Sequence, residues 1–198
     1  MLATVPVDVF TLYKCRKSFG ELVQALTIGP RERQLRLIPL EDPRISAEAF
    51  KSLLPLYSLK AAAGYFGRDE AVEPEGWVEA EGSGRLGSDM FVARVTGRSM
   101  EPRIHDGDFC VFRAKPAGSR QGKIVLAQYR GPTDPETGGA FTVKRYSSEK
   151  VTYPDGGWRH TRVALSPINP EFKPIILTPE SEEDVEIVAE FLAVLGQS

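Results

Sequence analysis

From Met90 onward the chain is a succession of short apolar runs. Phe91 to Val95, Asp108 to Phe112, Lys123 to Tyr129 and Phe141 to Tyr146 each read as a strand, with Gly, Pro and Asp turns between them. Arg162 to Leu165, Pro174 to Leu177 and Val185 to Leu195 continue the series. The last run has some amphipathic-helix character, but its β-branched residues and strand-rich neighbourhood favour a strand. Segment 130–139, rich in Gly, Pro and Thr, reads as a hairpin loop.

Before Met90 the pattern is mixed. Val5 to Tyr13 is strand-like. Ser18-Phe-Gly-Glu21 has capping-box spacing, and Phe19, Leu22, Val23 and Leu26 then repeat at helical intervals up to Gly29-Pro30. Gln34 to Leu40 alternates as a strand. Ser46 stands where it would cap a short helix through Leu54, and Pro55 would end it. Tyr57 to Phe66 contains the small-residue run Lys60-Ala-Ala-Ala-Gly-Tyr-Phe66. Asp69 to Asp89 is acidic and glycine-rich without a sustained period, so it reads as a long surface connection or as strands too short to leave a pattern. The expected fold is mainly β with a small α/β N-terminal extension, organised as 1–54, 55–90 and 91–198.

Composition agrees with that pattern. Eighteen glycines and fifteen prolines make up about a sixth of the 198 residues, against a usual ~12%. The excess has no period, which excludes collagen and favours turns. A hydrophobic fraction of 41% with 26% charged residues is that of a soluble globular chain, of one ordinary domain or two small ones. Net charge is −2, and residues 1–50 hold seven Lys/Arg against six Asp/Glu, so no basic nucleic-acid footprint stands out. No apolar run approaches the ~18 residues of a membrane span, and the N-terminus lacks a signal-peptide pattern. A cytoplasmic protein without a membrane partner is expected. Cys15 and Cys110 stand far apart and read as reduced thiols, Cys110 as a small core residue of an apolar strand. Trp77 and Trp158 read as packing or interface residues, and Glu180 to Glu186 as a solvated connection. No metal cluster, phosphate loop or dinucleotide fingerprint is present, so no metal or cofactor is expected.

One turn holds candidate chemistry. Gly97-Arg-Ser-Met-Glu-Pro102 follows an apolar strand and precedes Ile104-His-Asp-Gly-Asp108. A serine on a tight, glycine-flanked turn presents its hydroxyl and nearby backbone N–H groups to the same space, as a nucleophile with an oxyanion hole requires. By itself the hexapeptide is more simply a turn. A nucleophilic serine also needs a base. The two histidines are His105, on the loop after Ser99, and His160. A neutral lysine is the other solution; bringing its pKa from ~10.4 to near 7 takes more than about 4 kcal/mol and a desolvated pocket. Lys144 lies within a strand and shares a face with Thr142 and Tyr146, opposite Phe141 and Val143. A strand lysine is usually solvated, and periodicity does not select Lys144 from the other lysines.

Taken in order, Gly97-Arg-Ser-Met-Glu-Pro102 with Asp106-Gly-Asp108, Val143-Lys-Arg145, Asn169-Pro-Glu-Phe-Lys-Pro-Ile-Ile176 and Ile187 to Gly196 resemble the S24 peptidase family. That family holds the self-cleaving domain of LexA-type repressors, UmuD-type mutagenesis proteins and phage repressors. Ala61-Ala-Ala-Gly-Tyr-Phe66 resembles the segment those proteins cut, and the resemblance spans roughly residues 57–198. It implies a LexA/signal-peptidase-like β-rich fold, with Ser99 as nucleophile and Lys144 as general base. It further implies an oxyanion hole from backbone N–H groups of Ser99 and Met100, and a scissile Ala63–Gly64 bond. Small side chains at 61–63 suit a narrow cleft, and Gly64 tolerates unusual backbone geometry. A homodimer through the C-terminal strand, and triggering by a RecA-type filament in a DNA-damage or phage-related response, are also implied. The chain departs from LexA-type repressors at its start. Residues 1–54 carry no basic recognition helix, so direct DNA binding there is not expected. Segment 130–139 also lengthens the interval from Ser99 to Lys144.

A different class of reading remains open: a UmuD-type interaction module that docks on a DNA-repair protein, polymerase, helicase or nuclease with little or no self-cleavage. A membrane-associated signal peptidase would share the chemistry but need a transmembrane anchor.

Overall fold

Apolar runs that bury both faces, or alternate faces, are satisfied as strands. In the computed structural model, which describes residues 35–62, 72–80, 84–129, 140–153, 156–177 and 185–196, they join one mixed sheet. Among the described residues its ten strands are β1 Leu37–Ile38, β2 Leu53–Tyr57, β3 Gly76–Glu79, β4 Met90–Arg94, β5 Phe109–Ala114, β6 Ile124–Tyr129, β7 Phe141–Thr152, β8 Trp158–Ser166, β9 Ile175–Leu177 and β10 Val185–Val194. Their spatial order is β1-β3-β2-β4-β5-β10-β6-β7-β8-β9. Neighbours run antiparallel except β2 and β4, which pair in parallel through Leu56↔Val92 and Tyr57↔Ala93. The mainly β expectation holds, and every strand read between Met90 and Leu195 has a counterpart. Val5 to Tyr13, the helix after Ser18 and segment 130–139 lie outside the described residues.

Two local expectations are corrected. The short helix, α1, spans Arg44–Glu48 and not 46–54. It starts two residues earlier because Asp42 Oδ1 accepts the Arg44 N–H at 2.9 Å while the Arg44 guanidinium grips the same carboxylate. That grip holds the Asp42 carboxyl below its ordinary pKa. Ala49 then turns out of the helix at ψ 127°. Leu53–Tyr57, read as a helix end, is instead β2, with all five residues buried. Pro55 sits opposite Trp77 and lacks an N–H, yet burial of the flanking Leu54 and Leu56 in one apolar cluster outweighs the missing ladder bond.

A further correction concerns β10. A homodimer through the C-terminal strand would be favoured if the apolar run Val185 to Leu195 were left as an unpaired edge. β10 instead lies inside the sheet, paired on one side with β5 and on the other with β6. The edge argument for dimerisation through this strand therefore fails. The outermost strands are β1 and β9, only two and three residues long.

The acidic stretch before Met90 contains β3, four residues with Trp77 and Val78 as its apolar content. Trp77 packs edge-on against Phe50 at 5.2 Å between centroids, the packing role expected of it. Cys110 is fully buried in β5, also as expected. Strand parity then sorts the core. Leu126 and Val143, opposite each other on β6 and β7, join the main cluster with Phe91, Phe112, Met100 and Ile104. Val125, Ala127 and Tyr146 face a separate cluster with Leu165. Register shifts in β10, at Ile187/Ala189 and Phe191/Ala193, add local twist where the sheet passes from β5 to β6.

Candidate active site

The connection from β4 to β5, residues 95–108, builds the serine turn. Gly97 has φ +100°, and its N–H donates to Asp106 Oδ1 at 2.8 Å. The Gly107 N–H donates to Val95 O, and the Val95 N–H to Asp108 O, closing the base of the loop. Gly107 has φ +85°, and a Cβ there would stand 3.2 Å from Arg94 Nη2. Within the loop the Glu101 N–H donates to Arg98 O, while Arg103 and Ile104 both donate to Met100 O. Met100 and Ile104 are buried in the main cluster and anchor the turn from below. Glu101–Pro102 is a cis peptide bond. Ser99 is held between these anchors, 4% exposed.

On a flat sheet, β5 and β7 stand three steps apart, about 14 Å. Loop 95–108 crosses that span. Lys144 Nζ lies 2.7 Å from Ser99 Oγ, between residues 45 apart in sequence. Lys144 is also 4% exposed, so the solvated strand lysine that periodicity favours is not what the structure contains. Its Nζ donates to Thr142 Oγ1 at 2.9 Å. Thr142 is a site residue that sequence reasoning placed on the correct face without giving it a role. The signal was strand parity, since i and i+2 project to the same side.

His105 does not enter the site. It is partly exposed, with Nδ1 3.7 Å from Glu101 Oε1. Asn169 does enter. Its Nδ2 donates to Arg98 O at 3.2 Å, and its backbone N–H and that of Ile168 each donate to Ser99 O at 2.9 Å. The sequence marked the Asn169-Pro-Glu-Phe block but not that contact.

Beside Ser99 and Lys144, which both line it, lies a narrow cavity of about 30 Å³, room for about two water molecules. Leu59 and Phe141 share its walls with Gly97, Met100 and Thr142. Leu59 belongs to a single helical turn that follows β2: the Ala62 N–H donates to Ser58 O at 2.9 Å, and the Ala61 N–H to Ser58 Oγ at 3.1 Å. Ala62 is fully buried in the same cluster as Met100 and Val143. The expected scissile bond, Ala63–Gly64, lies just outside the described residues. The chain before it is thus packed against the Ser99–Lys144 cleft.

A buried serine hydroxyl touching a buried amine, beside a cleft, is an arrangement suited to nucleophilic catalysis. Comparison with known proteins points the same way. A family model described as Peptidase S24-like matches residues 55–192. The chain is also 31% identical over 176 residues to the LexA repressor of Bordetella avium (strain 197N), covering 88% of this chain and 71% of that protein. Among the described residues, no helix is long and apolar enough to cross a membrane.

Proposed function

Because this chain belongs to the S24 peptidase family, we propose that it is a self-cleaving serine peptidase whose Ser99–Lys144 dyad cuts its own Ala63–Gly64 bond. One observation carries the reading: Lys144 Nζ and Ser99 Oγ stand 2.7 Å apart, both buried.

The proposed reaction requires Lys144 as the neutral amine. A neutral amine has two N–H bonds and one lone pair. Donation to Thr142 Oγ1 directs one N–H and leaves the lone pair for the Ser99 hydroxyl. Ser99 Oγ attacks the Ala63 carbonyl carbon while its proton passes to Lys144 Nζ. The oxyanion takes hydrogen bonds from the backbone N–H groups of Ser99 and Met100. On collapse the Ala63–Gly64 C–N bond breaks, and Lys144 returns the proton to the Gly64 nitrogen. Water, deprotonated by the same amine, then releases Ala63 from the ester. The substrate is on the same chain, so its effective concentration is high and a simple dyad suffices.

A helical turn uses its own backbone hydrogen bonds, whereas a bond under attack in a narrow cleft must be presented in extended form. Residues 58–62 therefore have to open before Ala63 reaches Ser99. An activating partner needs only to favour the opened state. We further propose a role as a regulatory switch in a DNA-damage or phage-related response, in keeping with the similarity to a repressor, and a RecA-type filament as the activator, which the family resemblance implies.

The test is to incubate the purified chain from about pH 7 to about pH 10 and follow its mass. The intact 21.8 kDa chain gives way to two fragments that meet at Ala63–Gly64, faster as pH rises, because only the neutral amine accepts the proton. Ser99→Ala and Lys144→Ala stay intact throughout. Cutting in Ser99→Ala at the wild-type rate rejects the dyad. An intact wild-type chain at every pH, with and without a recombinase filament on single-stranded DNA, favours the interaction-module alternative.

A further inference from the structure

Three hydrogen bonds join Ile168–Asn169 to the two peptide units flanking Ser99. Asn169 Nδ2 donates to Arg98 O at 3.2 Å, and the backbone N–H groups of Ile168 and Asn169 both donate to Ser99 O at 2.9 Å. Arg98 O belongs to the peptide unit that carries the Ser99 N–H. Ser99 O belongs to the unit that carries the Met100 N–H. In a planar trans peptide the C=O and N–H point in opposite directions. Holding both carbonyls against one segment therefore turns both N–H groups to the other side, next to each other. In an extended strand successive peptides alternate and would separate them. Two adjacent amides on one side form a concavity that suits an anion.

We infer that Asn169 is a positioning residue whose carboxamide, together with the Glu101 N–H on the same oxygen, holds the Arg98 carbonyl and so aims the Ser99 N–H at the oxyanion of the cleavage reaction. This rests on the reaction proposed above. Its side chain is built for the task. Asn169 is 8% exposed, and its Oδ1 accepts the Glu171 N–H at 3.0 Å, which fixes the end from which Nδ2 projects. Ile168 packs against the main cluster and steadies the segment. An aspartate would keep the bond to Glu171 but has no N–H for Arg98 O, and would set one oxygen against another. A glutamine would carry the amide one methylene too far.

Asn169→Asp therefore separates the two bonds. Self-cleavage of the full chain is measured against pH for the wild type, Asn169→Asp and Asn169→Ala, each with a melting curve. Both variants lose about tenfold in the plateau rate, the scale of one positioning hydrogen bond, while the pH midpoint stays where it is in the wild type. Rates within about threefold of wild type overturn the inference. So does a loss that tracks the unfolded fraction, or one that moves the midpoint, since either marks general loosening of the site. A second readout is independent of cleavage: labelling of Ser99 by a phosphonofluoridate, in which Oγ displaces fluoride from phosphorus and the proton goes to Lys144. If the wild type is labelled but does not cut itself, the self-cleavage reading fails while slower labelling of Asn169→Asp upholds the inference and equal labelling rejects it. A wild type that neither cuts nor labels has no activated serine to position, which overturns both.

Discussion

Lys144 is flanked by two hydroxyls, Ser99 at 2.7 Å and Thr142 at 2.9 Å. If Thr142 orients the amine, Thr142→Val loses one hydrogen bond of about 1–1.5 kcal/mol and slows self-cleavage by about tenfold. Thr142→Ser keeps the hydroxyl and stays near the wild-type rate, as fragment yield against time would record. Equal slowing by both would assign Thr142 to packing alone. Gly107 tests the loop base by a different route. With φ +85° and Arg94 Nη2 3.2 Å from a new Cβ, Gly107→Ala adds left-handed strain of about 1–2 kcal/mol. The arginine tip can shift, so strain dominates. A melting temperature lowered by several degrees is expected, with the dyad still assembled.

At the scale of elements, the turn 58–62 is the part that has to open in the proposed reaction. Ser58 Oγ caps it by accepting the Ala61 N–H. Ser58→Ala removes about 1 kcal/mol of cap and shifts the turn towards its open form, so self-cleavage accelerates by about fivefold. Slower cutting would mean that the turn helps to present the bond. The turn and β2 before it also show where the sequence was opaque. Pro55 and Ser46 look like a helix stop and start, yet five buried residues at 53–57 make a strand in the middle of a sheet. β3 went unseen because four residues with two large apolar side chains leave no period. β4 to β10 were legible because each alternates, or buries a continuous run, between clear turns. Parity likewise set Lys144 beside Thr142. The partner across space was not legible, because Ser99 and Lys144 lie 45 residues apart, and no local pattern records which loop crosses a sheet. Family resemblance supplied that pairing.

Across the whole molecule, the expected scissile bond falls between β2 and β3, which are adjacent in the sheet. Cutting it divides the sheet covalently without dividing it physically. β2 stays paired with β3 on one side and β4 on the other, and Leu53 and Leu54 are fully buried. Each buried leucine contributes about 1.5–3 kcal/mol, so the two fragments co-elute on size exclusion after complete cleavage and separate only in moderate denaturant. Immediate separation in buffer would show that β2 is held too weakly for this. If the chain is the self-cleaving switch proposed above, the position of β2 gives that switch a memory. The chemical event is over when the C–N bond breaks, but its consequence waits until a strand is drawn out of the sheet interior. The signal's delay is then set by the lifetime of a nicked complex rather than by the turnover of the dyad.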